Sequence, residues 1–337
     1  MHGRRSYSYL IAPRYNDACD VPSKAAFHRL APLGEASVTA PICVLTAPTA
    51  AGKTGLSLRL ARRHGLEVVS ADAFLVYRGM DIGTAKPTLR ERAQVRHHLI
   101  DIRDSRQEYD VAQFVRDAEA AIADIRRRGA VPLVVGGTGF YLSALLSGLP
   151  TTPRADLEVQ RTIERELDER GLDALIAEIA SVQPGEVERL QRNPRRVVRS
   201  LEVYRRTGRF PSQFGRTIPT FTYQIVAFAP PAELLDARIV ARVDAMFRQG
   251  LVEEVRELLE SAPLTDRPTT AWQAIGYKEV AAHLRGERSL DETRAAVVAA
   301  TRAYAKRQLT WIRTQLRSEL LPDDLAAEHR LDEVYGH

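Results

Sequence analysis

From Pro41 the chain sets up a regular pattern. A short apolar run, Ile42 to Thr46, is followed by the glycine-containing turn PTAAGKT and then by a leucine-bearing segment that reaches Arg63, with Gly65 after it. This predicts strand, loop and helix in that order. A second apolar run, Leu66 to Val69, leads into SADAFLVYRGMDIGTAKPT, which is too irregular for one helix and rich in loop-forming residues. Asp110 then stands as an N-cap before Val111, Phe114, Val115, Ala118, Ile122 and Ile125, whose spacing of three and four predicts a helix ending at Gly129. The run VPLVV that follows is β-branched and continuous, as in a strand covered on both faces of a parallel sheet. Strands alternating with helices at this spacing predict an α/β fold with right-handed crossovers and a chemical site at the carboxyl ends of the strands.

After Leu149 the strand pattern stops. TTPRAD makes a turn, and helical patterns broken at Gly171 and Pro184 run to about Arg209. Phe221 to Phe228 then reads as a strand, followed by helices from about Ala232 to Gly250 and from Asp291 to Arg313. The expected organisation is a core split between residues 41–150 and 215–320, a helical insertion at 151–214, an unstructured extension at 1–40 and a tail at 321–337.

Composition narrows the class. The chain has 337 residues, of which 45% are apolar and 27% charged, enough to bury a large core, and this excludes disorder throughout. Lys plus Arg exceeds Asp plus Glu by 48 to 43, a modest positive balance that tolerates a polyanionic partner. Cys19 and Cys43 are the only cysteines and belong to no Cys-x-x-Cys pair, which argues against a disulfide scaffold or structural zinc. No apolar run approaches the roughly 18 residues of a bilayer span, and Arg4, Arg5 and Arg14 precede no apolar signal region. The expectation is a cytoplasmic protein from a reducing compartment, without a membrane partner.

APTAAGKT, Ala47 to Thr54, fits the phosphate-loop pattern at every fixed position except the first, where Ala47 replaces glycine. Between a strand and a helix, such a turn gathers backbone N–H groups around phosphate oxygens. Lys53 can neutralise them, and the Thr54 hydroxyl can hold magnesium. The strand VPLVV runs straight into GGTG with no carboxylate, which counts against nucleotide hydrolysis. Thr138, among Gly136, Gly137 and Gly139, can meet a phosphate or a base edge, or the glycines can form a plain turn. Asp72 follows the second strand on the same sheet edge, where a carboxylate can accept a proton from a nucleophile or simply cap a turn. Asp81 is the weaker acidic candidate.

Between Arg189 and Arg209 stand eight arginines, 189, 192, 195, 196, 199, 205, 206 and 209, against one acid, Glu202. Such a segment repels itself unless an anion faces it. On a helix from Pro194, Val197, Leu201 and Tyr204 form the inward stripe, while Arg195, Arg199 and Arg206 lie outward and suit a phosphate backbone. A solvated charged helix is the alternative. QAIGYKE, Gln273 to Glu279, gathers groups able to hydrogen-bond or stack in a single-stranded loop. TRAYAKRQLTW carries Arg302, Lys306 and Arg307 at helical spacing with Tyr304 and Trp311, and one of these cations could close over the phosphate site.

APTAAGKT, SADAFLVYRGMDIGTAKPT, HHLIDI, VPLVVGGTGFYLSALL, RRVVRSLEVYRRTGR, QAIGYKE and TRAYAKRQLTW occur in this order from Pro41 to Trp311. Together they resemble the tRNA dimethylallyltransferases, also called tRNA isopentenyltransferases, and GMDIGTAKPT is the most specific of them. The resemblance implies a P-loop NTPase-like parallel sheet flanked by helices, with a helical insertion that grips the anticodon arm. It further implies a magnesium-dependent, monomeric enzyme that moves a dimethylallyl group from dimethylallyl diphosphate to N6 of adenosine 37 of tRNA.

On that resemblance Ala47, Pro48, Thr49, Ala50, Ala51, Gly52, Lys53 and Thr54 bind diphosphate, with Thr54 also on the metal. Asp72, Thr138 and Arg302 are catalytic, Asp72 as the general base. The stretches Asp72, Ala73, Phe74, Leu75; Arg195, Arg196, Val197, Val198, Arg199; and Gln273, Ala274, Ile275, Gly276, Tyr277, Lys278 match regions that touch tRNA. Three departures stand out: Ala47, Ala73-Phe74-Leu75 where the family pattern is Ser-x-Gln, and Arg192 with Pro194 in a turn that usually carries Asn-Asp. They imply altered base contacts with retained chemistry. Rival readings are a P-loop kinase of a nucleotide or small metabolite, prenylation of free AMP or ADP, and an RNA-binding P-loop protein without catalysis.

Overall fold

The computed structural model describes residues 40–262, 269–316 and 318–336. Cys19 and all of the proposed extension except Ala40 lie outside the described residues. Strand β1 (Ile42–Thr46) feeds a turn and helix α1 (Lys53–His64), and β2 (Leu66–Ala71) feeds the loop that opens at Asp72. Helix α2 (Leu89–Gln94) precedes a two-residue strand, β3 (His97–His98). Helix α3 (Val111–Arg127) leads to β4 (Val131–Gly136), and α4 (Gly139–Ser147) follows it. Four helices come next: α5 (Leu157–Arg170), α6 (Leu172–Val182), α7 (Pro184–Leu190) and α8 (Pro194–Thr207). Strand β5 (Tyr223–Phe228) rejoins the sheet before α9 (Ala232–Arg248), α10 (Leu251–Ser261), α11 (Tyr277–Leu284) and α12 (Leu290–Trp311). Strand β6 (Leu320–Leu321) and helix α13 (Asp324–Tyr335) complete the described chain.

All strand pairs are parallel, in the order β3-β2-β4-β1-β5-β6. β4 lies between β1 and β2, and Gly136 is the partner of both Thr46 and Ala71, so the three strands end level. The turn after β1, Asp72 after β2 and the glycine turn after β4 are thereby placed at one sheet edge. Helix α3 forms as its sequence dictates. Asp110 accepts from the Gln113 N–H, the Gln113 side chain returns the bond, and Phe114, Val115, Ala118, Ile122 and Ile125 are buried.

The described residues divide into two compact units, Ser147–Pro219 and the remainder. In the helical unit, Ile163, Leu175, Ile179, Leu190, Val197 and Leu201 make the core, and Tyr204 stacks on Phe210 at 4.4 Å between ring centroids.

Several elements differ from the sequence expectation. β3 and β6 are two residues long, too short to show a period. β2 continues through Ser70 and Ala71, so Asp72 follows it directly. Of the segment 321–337, expected to be a tail, Leu321 ends β6 and Asp324–Tyr335 forms α13, whose Ala327 and Leu331 are fully buried in the cluster that holds Leu45, Val226 and Phe228. Its acids also face α1: Glu328 pairs with Arg59 at 2.6 Å and Arg63 at 2.9 Å, and Asp332 pairs with His64 at 2.7 Å. Among the described residues no helix is long and apolar enough to cross a membrane. If α13 is part of the core, Leu331→Ala leaves a cavity beside the sheet and should cost about 2–5 kcal/mol. Urea unfolding should show a lowered midpoint, and an unchanged midpoint would return the segment to the status of a tail.

Candidate active site

The phosphate-loop geometry follows from backbone conformation. Ala50 and Gly52 adopt φ of 62° and 105°, the second of which strongly favours glycine, and together they bend the chain into the first turn of α1. No side chain caps that helix and no acid occupies its first turn, so its leading N–H groups stay available to an anion. Lys53 Nζ folds back onto the loop and donates to the carbonyls of Ala47 at 2.7 Å and Pro48 at 2.9 Å. Ala47 has no positive φ and is fully buried in the core cluster, so the first position of the loop does not require glycine here. Thr54 is exposed in the first turn, and among the described residues its hydroxyl has no hydrogen-bond partner.

At the end of β2, Asp72 Oδ1 accepts from the N–H groups of Phe74 at 2.9 Å and Leu75 at 3.4 Å. Asp72 thus caps the turn through Oδ1 alone, and Oδ2 is not used by the turn. Thr138 binds across to the same loop, its Oγ1 accepting from the Ala73 N–H at 3.2 Å. A Cβ at Gly136 would lie 2.2 Å from the Ala71 carbonyl oxygen, which only glycine avoids.

Two arginines of α9 complete the site, and sequence reading passed over both. Arg238 donates to the Ala51 carbonyl at 3.0 Å and braces the loop from outside. Arg242 donates to the Thr84 carbonyl at 3.2 Å and interacts electrostatically with both Lys53 and Asp72. Their spacing of four residues was the available signal, since it puts both on one helix face. Burial, and then the charge of Arg242, push the Lys53 ammonium down to about 7, with Asp72 pulling the other way. Burial likewise lowers Arg242, again opposed by Asp72.

Other expected residues sit elsewhere. The Arg302 guanidinium is engaged at the surface by Asp236, with Nη2 to Oδ2 at 2.7 Å, and does not join the Lys53–Asp72–Arg242 cluster. In QAIGYKE, Ala274, Gly276 and Tyr277 are buried, Ile275 and Lys278 are half-buried, and Gln273 alone is exposed. The Tyr277 hydroxyl donates to Glu254 at 2.6 Å, and Glu254 also accepts the N–H groups of Asp81, Ile82 and Gly83. A buried tyrosine holding a loop in this way is not an RNA-stacking surface. Asp81 is structural too, because it shares the buried Lys86 ammonium with Asp101, each at 2.6 Å. Ala73, Phe74 and Leu75 are half-buried.

In the helical unit the expected self-repulsion of the arginines does not arise, because acids distant in sequence meet them. Arg205 pairs with Glu166 at 2.6 Å and Glu178 at 2.8 Å, and Arg192 with Asp173 at 2.6 Å. Glu202, completely buried, takes Arg199 at 2.7 Å, Arg206 at 3.0 Å, the Asp156 N–H and the Gln160 amide. Burial opposes its charge, yet these partners, Arg199 foremost, hold its carboxyl below the usual range. Arg199 and Arg206 are therefore not an open phosphate-facing stripe. Val197 and Val198 are buried and cannot present side chains to RNA. Arg196 donates to the Arg189 carbonyl and to Gln191. Arg189 and Arg195 remain exposed, with no side-chain partner among the described residues.

A parallel sheet with a phosphate loop after its β1 strand, flanked by helices, and with a carboxylate and a hydroxyl beside that loop, defines a P-loop-type group-transfer enzyme. The model of the IPP transferase family matches residues 75–315, and the chain belongs to that family. It is 57% identical over 289 residues to a tRNA dimethylallyltransferase of Deinococcus radiodurans, covering 86% of this chain and 94% of the relative. It is 51% identical over 272 residues to that of Thermus thermophilus, covering 81% and 89%. Among solved structures, the tRNA isopentenylpyrophosphate transferase of Bacillus halodurans aligns with a TM-score of 0.63 at 35% identity, over 88% of this chain and 94% of its own. A eukaryotic dimethylallyltransferase acting on tRNA aligns with a TM-score of 0.69 at 29% identity, over 87% and 77%.

The depressed Lys53 leads to a proton-linkage prediction. An oxyanion beside the ammonium raises its pKa, so anion binding at pH 8 is coupled to proton uptake, and the lysine's contribution to affinity is complete below pH 7 and fades as pH rises through the pKa of the complex. Calorimetry with inorganic diphosphate in two buffers of different ionisation enthalpy should detect that uptake, and Lys53→Met should abolish it. Equal proton uptake in the two proteins would remove the lysine from the site.

Proposed function

We propose that the chain transfers a dimethylallyl group from dimethylallyl diphosphate to N6 of adenosine 37 in tRNA, releasing diphosphate. The observation that carries this reading is the placement of the phosphate loop and the unengaged Oδ2 of Asp72 at the level ends of β1 and β2, with the Thr138 turn of β4 between them. The adenine nitrogen attacks C1 of the allylic chain as the bond from C1 to the diphosphate oxygen breaks, and Asp72 Oδ2 accepts the amine proton. Adenine N6 is a weak nucleophile because its lone pair is delocalised into the ring, so orientation and proton acceptance matter more than binding strength. Negative charge gathers on the departing diphosphate. Lys53, the N–H groups of the turn and Arg242 are placed to stabilise it, and Arg242 takes the part first expected of Arg302.

Thr54 fits magnesium, since an exposed hydroxyl at the loop mouth together with diphosphate oxygens is the kind of ligand set this ion uses. No group of three or more His, Cys, Asp or Glu side chains able to hold a metal exists among the described residues, so the ligand's own oxygens would complete the shell. When bound, the ion supplies positive charge to the leaving group. The adenosine must leave the anticodon-loop stack to be reached, which costs less than extruding a paired base. A kinase reading has no comparable support, because β4 runs into Gly136 and Gly137 without a carboxylate.

Incubation with radiolabelled dimethylallyl diphosphate and unmodified tRNA should place the label on N6 of adenosine 37. ATP turnover without prenyl transfer would refute the reading. Asp72→Ala should lower the single-turnover rate by about 100-fold or more while tRNA affinity stays within about twofold. A rate equal to the unmodified chain's would deny Asp72 its role. In the helical unit, Arg195→Glu should weaken tRNA binding across sequences and flatten its salt dependence. Glu202→Ala should instead destabilise, because it strips partners from two half-buried arginines. Filter binding over a salt series and thermal melts separate the two effects, and an unaltered salt slope in Arg195→Glu would remove that residue from the RNA contact.

A further inference from the structure

Helix α12 does more than supply core packing. Gln308 is buried on it, and its side-chain amide joins two segments of the site far apart in sequence. Oε1 accepts the Thr49 N–H of the phosphate loop at 2.7 Å, and Nε2 donates to the Gly137 carbonyl at 2.8 Å. Both bonds use the amide in its one matching orientation, acceptor toward the loop and donor toward the turn. The turn is shaped to receive it. A Cβ at Gly137 would lie 2.4 Å from Gln308 Nε2, and a Cβ at Gly139 would lie 2.6 Å from the Trp311 ring one helical turn further along α12. On the preceding turn, Tyr304 faces Thr138 and Gln308 and interacts electrostatically with Asp72.

We propose that Gln308 is a positioning residue that fixes the separation between the diphosphate-holding loop and the Thr138–Asp72 turn, and hence between leaving group and nucleophile. This rests on the prenyl-transfer reading above. The physical reason is that β1 and β4 are level only up to Thr46 and Gly136. Beyond those residues the two loops leave the sheet ladder, and the Gln308 amide is the side-chain tie that links Thr49 to Gly137. An error of about 1 Å at such a junction is enough to cost on the order of 100-fold in rate.

The test uses the full chain and two variants, with dimethylallyl diphosphate and unmodified tRNA. Gln308→Glu keeps length and shape but turns a carboxylate oxygen toward the Gly137 carbonyl, a repulsion relieved only when the introduced carboxyl is protonated. Tyr304 faces that position from the same helix, Arg307 lies over the Tyr304 ring at 5.8 Å from its centroid, and the charged groups around them are Arg307, Asp72, Lys53 and Arg242. At pH 8 the single-turnover rate should fall about 10- to 100-fold, with affinities for tRNA and inorganic diphosphate within about threefold. The deficit relative to the unmodified chain, measured at each pH, should shrink as pH drops toward 6. Gln308→Met removes both bonds without adding charge, and its deficit should be independent of pH.

Rates within about twofold of the unmodified chain at pH 8 in both variants would overturn the proposal. Loss of rate, tRNA affinity and melting temperature in step, at every pH, would also overturn it by showing a structural residue only. If the unmodified chain transfers no prenyl group, the functional reading falls and takes this proposal with it. Transfer by that chain with indifferent variants sinks the positioning role alone.

Discussion

Gly136 meets the carbonyl of Ala71 at a distance that leaves no room for a side chain, and the site depends on that contact. β4 lies between the strand that ends in the phosphate loop and the strand that ends in Asp72. Any residue but glycine at its end would force β2 aside and separate Asp72 from the phosphate loop. Gly137 and Gly139 extend the same constraint outward, since their bare backbones admit Gln308 and Trp311 of α12. The glycine run after VPLVV is therefore less a flexible loop than a surface trimmed to fit three neighbours.

Electrostatics impose a second constraint. Lys53 and Arg242 are like charges sharing a poorly solvated site, and Asp72 only partly compensates them. Burial and mutual repulsion disfavour the charge on Lys53, and an anion beside these cations would oppose both effects. The N–H groups at the turn are divided: Thr49 gives its N–H to Gln308, whereas the first turn of α1 has no side-chain cap.

Local pattern made much of this legible. The strand–loop–helix at Ile42 to Arg63, the capped helix from Asp110 and the edge position of Asp72 and Thr138 all follow from apolar periodicity and turn chemistry confined to short windows. What escaped reading depends on pairing across the chain. Eight arginines with one acid looked self-repelling, yet Glu166, Glu178 and Asp173 on α5 and α6 meet them in space. Tyr277 looked like a stacking residue beside a turn, but it points inward to Glu254. Arg238 and Arg242 carried no local motif, and Arg302, which did, meets Asp236 instead. A cation's role is set by the nearest acid in three dimensions, and a window of sequence does not contain it.

The loop after β2 keeps its shape independently of the side chains at Ala73, Phe74 and Leu75, where the sequence departs from the family pattern. Its shape is held by main-chain donors: the Ala73 N–H binds Thr138, and the Phe74 and Leu75 N–H groups bind Asp72 Oδ1. None of these bonds uses a side chain from positions 73 to 75, so replacing a hydroxyl and an amide there changes what the loop can offer an RNA base without moving the carboxylate. The turn in fact fixes the Asp72 rotamer by occupying one oxygen, which leaves the other aimed by the backbone. Positions 73 to 75 enter the loop through main-chain donors alone, whereas Asp72 organises it through its side chain, so a substitution at Asp72 disturbs the loop's shape in a way that one at its three neighbours does not.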